Sequence, residues 1–199
     1  MKAKFIYENE HALCPELCVE IINLFESSPQ KYDGMILDGV NKNIKDTTDL
    51  VISKSHKWTN IYECLENELK HNIKKYKLLI NGKYADPTYN IIDDKFEITP
   101  FMVQRYIQNE GKYVYHNDFN IDYSNKMYRV ITYIFYLNDV IEGGETEFFG
   151  GEIRITPKRG KMILFPSSWT FPHCGKMPIS SNKYIITGWI YANHPDIRR

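Results

Sequence analysis

An excess of positive charge is missing from this chain. Its 25 Lys and Arg are matched by 25 Asp and Glu, for a formal net charge of zero. A nucleic-acid binder needs a surplus of cations facing phosphate, and a membrane-surface protein needs a basic face, so neither class is expected. No apolar run approaches the roughly 18 residues of a membrane helix. Met1–Glu10 has no apolar h-region, so no secretory signal is expected. Cysteine is sparse, and Cys14, Cys18, Cys64 and Cys174 include no C-x-x-C pair. Without a secretory signal a disulfide framework is not expected, and Cys14 and Cys18, four apart at a predicted helix start, read as core residues. Internal repeats, low-complexity tracts and linker-like composition shifts are also missing. What the chain does have is apolar and aromatic mass: 43% hydrophobic residues, including 15 Tyr, 10 Phe and 3 Trp. That argues against disorder and for a soluble, cytoplasmic, globular protein, with residues 1–199 forming one domain.

Two helices are predicted. Leu17, Ile21, Leu24 and Phe25 recur at helical spacing over Pro15–Glu26, with Pro15 suited to the first turn. Ile61, Leu65, Leu69, Ile73 and Tyr76 form a stripe over Trp58–Leu79, which Asn81-Gly82 is expected to end. Residues 28–55 are polar and read as a loop or edge strands, and residues 81–99, with Pro87 and Asp93-Asp94, as a loop. From Ile98 the period changes to two. Short strands are predicted at Phe101–Ile107, Tyr113–His116, Arg129–Leu137, Glu147–Phe149, Glu152–Thr156, Lys161–Phe165 and Lys183–Tyr191. The expected fold is α+β, mainly β: a double-stranded β-helix (jelly roll) core at about 98–192, supported by a helical N-terminal layer at about 1–80.

Of the six histidines, His116 stands out because His116-Asn117-Asp118 reads H-x-D. In extended backbone residues i and i+2 point to one side, so an imidazole nitrogen and a carboxylate oxygen can converge on one metal. His173, beside Pro172 and after a predicted strand, is the best candidate for a third ligand. Two His and one carboxylate on one face of an octahedron leave three open positions, the facial triad of non-haem Fe(II) oxygenases. An isolated H-x-D also fits a solvent-exposed turn, so its surroundings decide. His11, His56, His71 and His194 lack such context and read as ordinary residues.

Those surroundings carry a resemblance. YIQNEGKYVYHND (Tyr106–Asp118) resembles the Y-x-x-G-x-x-Y-x-x-H-x-D region of the prolyl 4-hydroxylase family of Fe(II)/2-oxoglutarate-dependent dioxygenases, with a different gap before the glycine. RVITYIFYLND (Arg129–Asp139) resembles that family's R-x-x-T-x-x-x-Y-L-N-D strand, and EGGETEF (Glu142–Phe148) its G-G-E-T-x-F turn. Gly160–Phe165 matches a G-x-x-x-x-F strand, and His173, Lys183 and Trp189 match an H-x9-K-x5-W ending. Leu13–Glu26 resembles the family's opening helix. The resemblance implies iron ligation by His116, Asp118 and His173, and implies that Lys183 binds the distal carboxylate of 2-oxoglutarate. A dicarboxylate co-substrate independently calls for a cation in the pocket. The resemblance also implies co-substrate contacts from Tyr106, Thr132, Tyr136 and Trp189, and substrate contacts from Tyr113 and Arg129. The implied reaction consumes O₂ and 2-oxoglutarate, releases succinate and CO₂, is supported by ascorbate, and hydroxylates a prolyl residue in a peptide or protein.

Three other readings stay open on the sequence. The same chemistry could act on another side chain, a free amino acid or a small metabolite. The fold could serve as a catalytically silent binding module, which a lost triad member would favour, and none is lost. A zinc hydrolase could use the same ligands, but leaves Lys183, Tyr106 and the paired glycines unexplained. The loops at 28–50 and 81–99 are candidate lids. Oligomeric state is not encoded in any of these features.

Overall fold

The computed structural model describes residues 5–52, 54, 57–84, 96–98 and 100–193. Helix α1 (Pro15–Ser27) starts with a proline in its first turn, where the missing N–H removes no hydrogen bond, and Glu16 complements the helix dipole. Cys18, Ile21 and Phe25 are its buried face. Cys14 is exposed, contrary to the expected core role, because it sits before the helix in extended backbone and does not share the face of Cys18. All four cysteines are free.

Helix α2 (Thr59–Tyr84) buries Ile61, Leu65, Leu69, Ile73, Tyr76 and Ile80 as one stripe. It runs through Asn81-Gly82 instead of stopping there. A helical glycine costs only about 1 kcal/mol against alanine, and Ile80 is still anchored in the core at that point. Neither helix is long and apolar enough to cross a membrane.

The strands are β1 (Tyr7–Asn9), β2 (Tyr32–Asp33), β3 (Met35–Ile36), β4 (Gly39–Val40), β5 (Lys45–Asp46), β6 (Thr48–Val51), β7 (Phe96–Ile98), β8 (Met102–Tyr106), β9 (Lys112–His116), β10 (Ile121–Asp122), β11 (Met127–Tyr136), β12 (Thr146–Phe148), β13 (Ile153–Ile155), β14 (Met162–Pro166), β15 (His173–Gly175) and β16 (Lys183–Asn193). A nine-stranded sheet runs β1-β14-β11-β16-β8-β6-β2, with β10 added on β11 and β7 on β16. A five-stranded sheet runs β13-β12-β15-β9-β5, and β3 and β4 form a separate hairpin. The major sheet meets the minor one through a shared apolar cluster that includes Tyr106, Ile134, Phe148, Ile163, Phe165 and Ile185. This is the jelly roll that the sequence leads one to expect, with both helices packed on the outer face of the larger sheet.

The segment 28–55 is woven into both sheets, with β2 and β6 in the larger and β5 in the smaller. Among the described strands of this segment, the β3–β4 hairpin alone stays outside them. The stretch expected as a loop at 81–99 begins inside α2 and contains β7, which pairs with β16. Residues 85–95 and 99, with the Asp93-Asp94 pair and the lid expected there, lie outside the described residues, as do His56 and His194.

Period-two alternation positions the site. On β11, Ile131, Tyr133 and Phe135 face the helices while Thr132, Ile134 and Tyr136 face the smaller sheet. On β16, Ile186 and Ile190 face the helices, while Lys183, Ile185, Thr187 and Trp189 line a cavity of about 530 Å³ between the sheets. One sheet thus supplies a core on one face and a pocket on the other.

Candidate metal centre and co-substrate pocket

His116 ends β9 and His173 begins β15. These strands pair antiparallel, with His173 directly opposite His116. Asp118 does not reach the pair by strand alternation. The strand ends at His116, and the Asn117 side chain accepts the Phe119 N–H at 3.1 Å, a turn that curls Asp118 inward. The ligand atoms of His116, Asp118 and His173 all lie within 4.8 Å of one another. Nε2 of His116 is 3.8 Å and Nε2 of His173 is 3.4 Å from the Asp118 carboxylate.

Each ring is locked in orientation. His116 Nδ1 lies 2.8 Å from the Val114 carbonyl, and His173 Nδ1 lies 3.1 Å from the Phe171 carbonyl. A carbonyl only accepts, so each Nδ1 carries a proton, which leaves Nε2 of a neutral ring to present a lone pair to the centre. Tyr113 stacks on His116 at 3.5 Å, and Phe165 meets His173 edge-on at 4.8 Å. Burial, reinforced by His173 and opposed by Asp118, pushes His116 down to about 4. Burial alone would raise Asp118, but the two imidazoles and a hydrogen bond from Thr132 outweigh it and hold its carboxyl below the usual range. Two imidazole nitrogens and one carboxylate make a donor set that fits Fe(II).

Behind the centre, Lys183 is 1% exposed. It pairs in register with Tyr106, and its Nζ lies 4.6 Å from the Tyr106 ring centroid. Among the described residues no carboxylate or carbonyl bonds to it, and burial brings it down to about 7. An unpaired buried ammonium is costly, and here it opens onto a cavity, which fits an anionic group supplied from outside the chain. Tyr106 is also buried, its hydroxyl 3.4 Å from Gln104 Oε1. Gly175 makes room for it: a Cβ there would lie 3.0 Å from the Tyr106 ring and 3.2 Å from its hydroxyl.

The remaining expected site residues are distributed around these two points. Thr132 donates to Asp118 Oδ2 at 2.8 Å, so the structure sets it against the carboxylate ligand. Tyr136 packs between the sheets and donates to Thr146 at 2.7 Å, 5.9 Å by ring centroid from Lys183 Nζ. Trp189 lines the cavity, with the Arg129 guanidinium stacked on it at 3.5 Å. Arg129 also donates to the Tyr191 hydroxyl at 2.8 Å and to the Asp118 carbonyl at 3.4 Å.

Sequence reasoning missed a second polar cluster. Lys45 Nζ bonds Asp49 at 2.6 Å, Thr47 donates to Asp49 at 2.7 Å, and Gln104 Nε2 donates to it at 3.2 Å. Lys45, Asp49 and Gln104 all line the cavity. The only signal was the alternation of Lys45, Thr47 and Asp49 in a segment whose polarity reads as loop.

Residues 101–191 match the sequence model of the 2OG-Fe(II) oxygenase superfamily. No curated protein sequence matches the chain. Among solved structures, the chain is similar to a viral collagen prolyl hydroxylase from Paramecium bursaria Chlorella virus-1 in complex with 2OG, at 21% identity and a TM-score of 0.66, covering 94% of this chain and 96% of that one. It is similar to a Trichoplax adhaerens prolyl hydroxylase in complex with a hypoxia inducible factor peptide fragment, at 22% identity, TM-score 0.72 and coverage of 94% and 84%. A Pseudomonas putida prolyl-4-hydroxylase follows at 17% identity, TM-score 0.67 and coverage of 94% and 93%. The motif match, the fold and the donor set agree: residues 101–191 carry the sequence signature of the 2OG-Fe(II) oxygenase superfamily, and together these observations support a 2-oxoglutarate-dependent dioxygenase.

Proposed function

We propose that the chain hydroxylates a prolyl residue within a peptide or protein. In this reading His116 Nε2, His173 Nε2 and the Asp118 carboxylate hold Fe(II), and Lys183 binds the distal carboxylate of 2-oxoglutarate with Tyr106 beside it. Bound iron and 2-oxoglutarate supply, with O₂, the oxidising power for an unactivated C–H bond, releasing succinate and CO₂. Thr132 holds Asp118 in place. Tyr113, stacked on His116, and Arg129, stacked on Trp189, face the cavity as substrate contacts.

The observation that carries the substrate class is the lining of the cavity mouth. Met35, Leu37, Val114, Tyr115 and Phe119 line it and are largely exposed. The cavity-lining cations among the described residues are Lys45, Arg129 and Lys183. Lys45 is paired with Asp49, and Lys183 is assigned to the co-substrate. A zwitterionic amino acid would need a further carboxylate clamp. A peptidyl proline carries no charge and no N–H, and asks for shape and aromatic contact, with Arg129 left to bond a backbone carbonyl. The similar Trichoplax adhaerens prolyl hydroxylase is in complex with a peptide fragment, which supports the same reading.

The test is mass spectrometry of proline-containing peptides and of free proline after incubation with Fe(II), ascorbate and 2-oxoglutarate. A gain of about 16 Da, one oxygen atom, on peptidyl proline and none on free proline is expected. No gain across varied peptides, with oxidation of a free metabolite, would overturn the substrate assignment.

A further inference from the structure

Asp118 is held from behind by two buried hydroxyls in series. Thr132 Oγ1 lies 2.8 Å from Asp118 Oδ2, and Ser167 Oγ lies 2.9 Å from Thr132 Oγ1. Ser167 is 1% exposed and Thr132 2%. Among the described residues neither hydroxyl has another side-chain partner. The direction of the chain follows from proton counting. A carboxylate only accepts and a threonine hydroxyl has one hydrogen, so Thr132 donates to Asp118 and must accept from Ser167. Hydrogen bonds in such a series polarise one another, and a bond to a charged oxygen gains most.

The fold fixes both hydroxyls. Thr132 sits in the middle of β11, opposite Phe165 of β14. Ser167 follows β14 directly, and its N–H donates to the Val130 carbonyl at 3.0 Å. Phe165 and Ser167, two apart, serve the two sides of the centre: Phe165 packs on His173 while Ser167 reaches Asp118 through Thr132.

We infer that Ser167 is a positioning residue for the metal-binding carboxylate, acting only through Thr132. The inference rests on reading His116, Asp118 and His173 as the metal site. Its test is Co(II) affinity of the metal-free protein, measured by chelator competition. Thr132→Val, which keeps the volume and removes the hydroxyl, should weaken binding about 10- to 100-fold, the usual range for a lost partner of a metal ligand. Ser167→Ala should weaken it about 2- to 5-fold through the lost polarisation. Combined with Thr132→Val, Ser167→Ala should add nothing; combined with Thr132→Ser, which keeps a hydroxyl, its effect should return. A Ser167→Ala effect of equal size in both backgrounds, or none in the parent, would overturn the relay. His116→Ala tests the underlying reading separately: unchanged Co(II) affinity in that variant would refute the metal site itself.

Discussion

The two faces of the nine-stranded sheet are made by the same strands and bury opposite kinds of group. The outer face is mostly apolar, with Tyr133 and Ile186 packed under Ile21 and Phe25 of α1 and Leu65 and Leu69 of α2. The inner face mixes Ile134, Phe165 and Ile185 with Thr132, Lys183 and Gln104. Two buried lysines that line the cavity between the sheets differ in turn. Lys45 is paired with Asp49 at 2.6 Å, whereas Lys183 has no ionic partner among the described residues. The outer face is arranged for stability, whereas the inner face buries at Lys183 a charge that the proposed co-substrate would pair.

Breaking the inner face should remove chemistry and spare the fold. His116→Ala or His173→Ala should abolish succinate release while circular dichroism stays native-like. Lys183→Ala should raise the Michaelis constant for 2-oxoglutarate about 30-fold to several-thousand-fold, the cost of about 2–5 kcal/mol for truncating one partner of a buried charge pair, with Co(II) binding retained. Breaking the outer face should do the reverse. Leu65→Ala should lower unfolding stability by about 2–5 kcal/mol, read from denaturant midpoints, and leave the Michaelis constant unchanged at temperatures where the protein is folded. The smallest effect is a pH dependence. In the empty pocket burial sets Lys183 at about 7. Below that value the ammonium is present and binding needs no proton. Above it binding must take one up, so the dissociation constant for 2-oxoglutarate should weaken by up to about tenfold per pH unit. Calorimetry from pH 6 to 9 checks this, and a flat profile would place the empty-state charge elsewhere.

Much of this division is legible in the sequence. The period-two runs gave the strands their faces, and the i, i+4 stripe placed α2 against them. His116, Asp118 and His173 were legible as residues, but their convergence was not fully so. Asp118 arrives through the Asn117 turn instead of strand alternation, and β15, which carries His173, is three residues long behind Pro172. Short edge strands such as β1 are set by pairing, here with β14, and not by their own composition. The Lys45–Asp49–Gln104 cluster was hidden because buried polar residues that satisfy one another look, in sequence, like a solvated loop. Cys14 misled through spacing alone: i, i+4 implies a shared face only when both residues are inside the helix.

The most direct test is the stability of Lys183→Met without ligand, set beside the response of both proteins to 2-oxoglutarate. Lys183 is pushed from 10.5 to about 7, so the unfolded chain binds more protons than the folded one between those values. The stability cost of the buried charge is therefore fully present below about pH 7 and fades as pH rises toward 10.5. At pH 6.5 the ligand-free Lys183→Met protein should be more stable than the parent by about 1–4 kcal/mol, as for other buried charges replaced by apolar side chains of similar volume. Added 2-oxoglutarate should raise the melting temperature of the parent and leave that of the variant unchanged. A less stable variant that 2-oxoglutarate still stabilises would contradict the account.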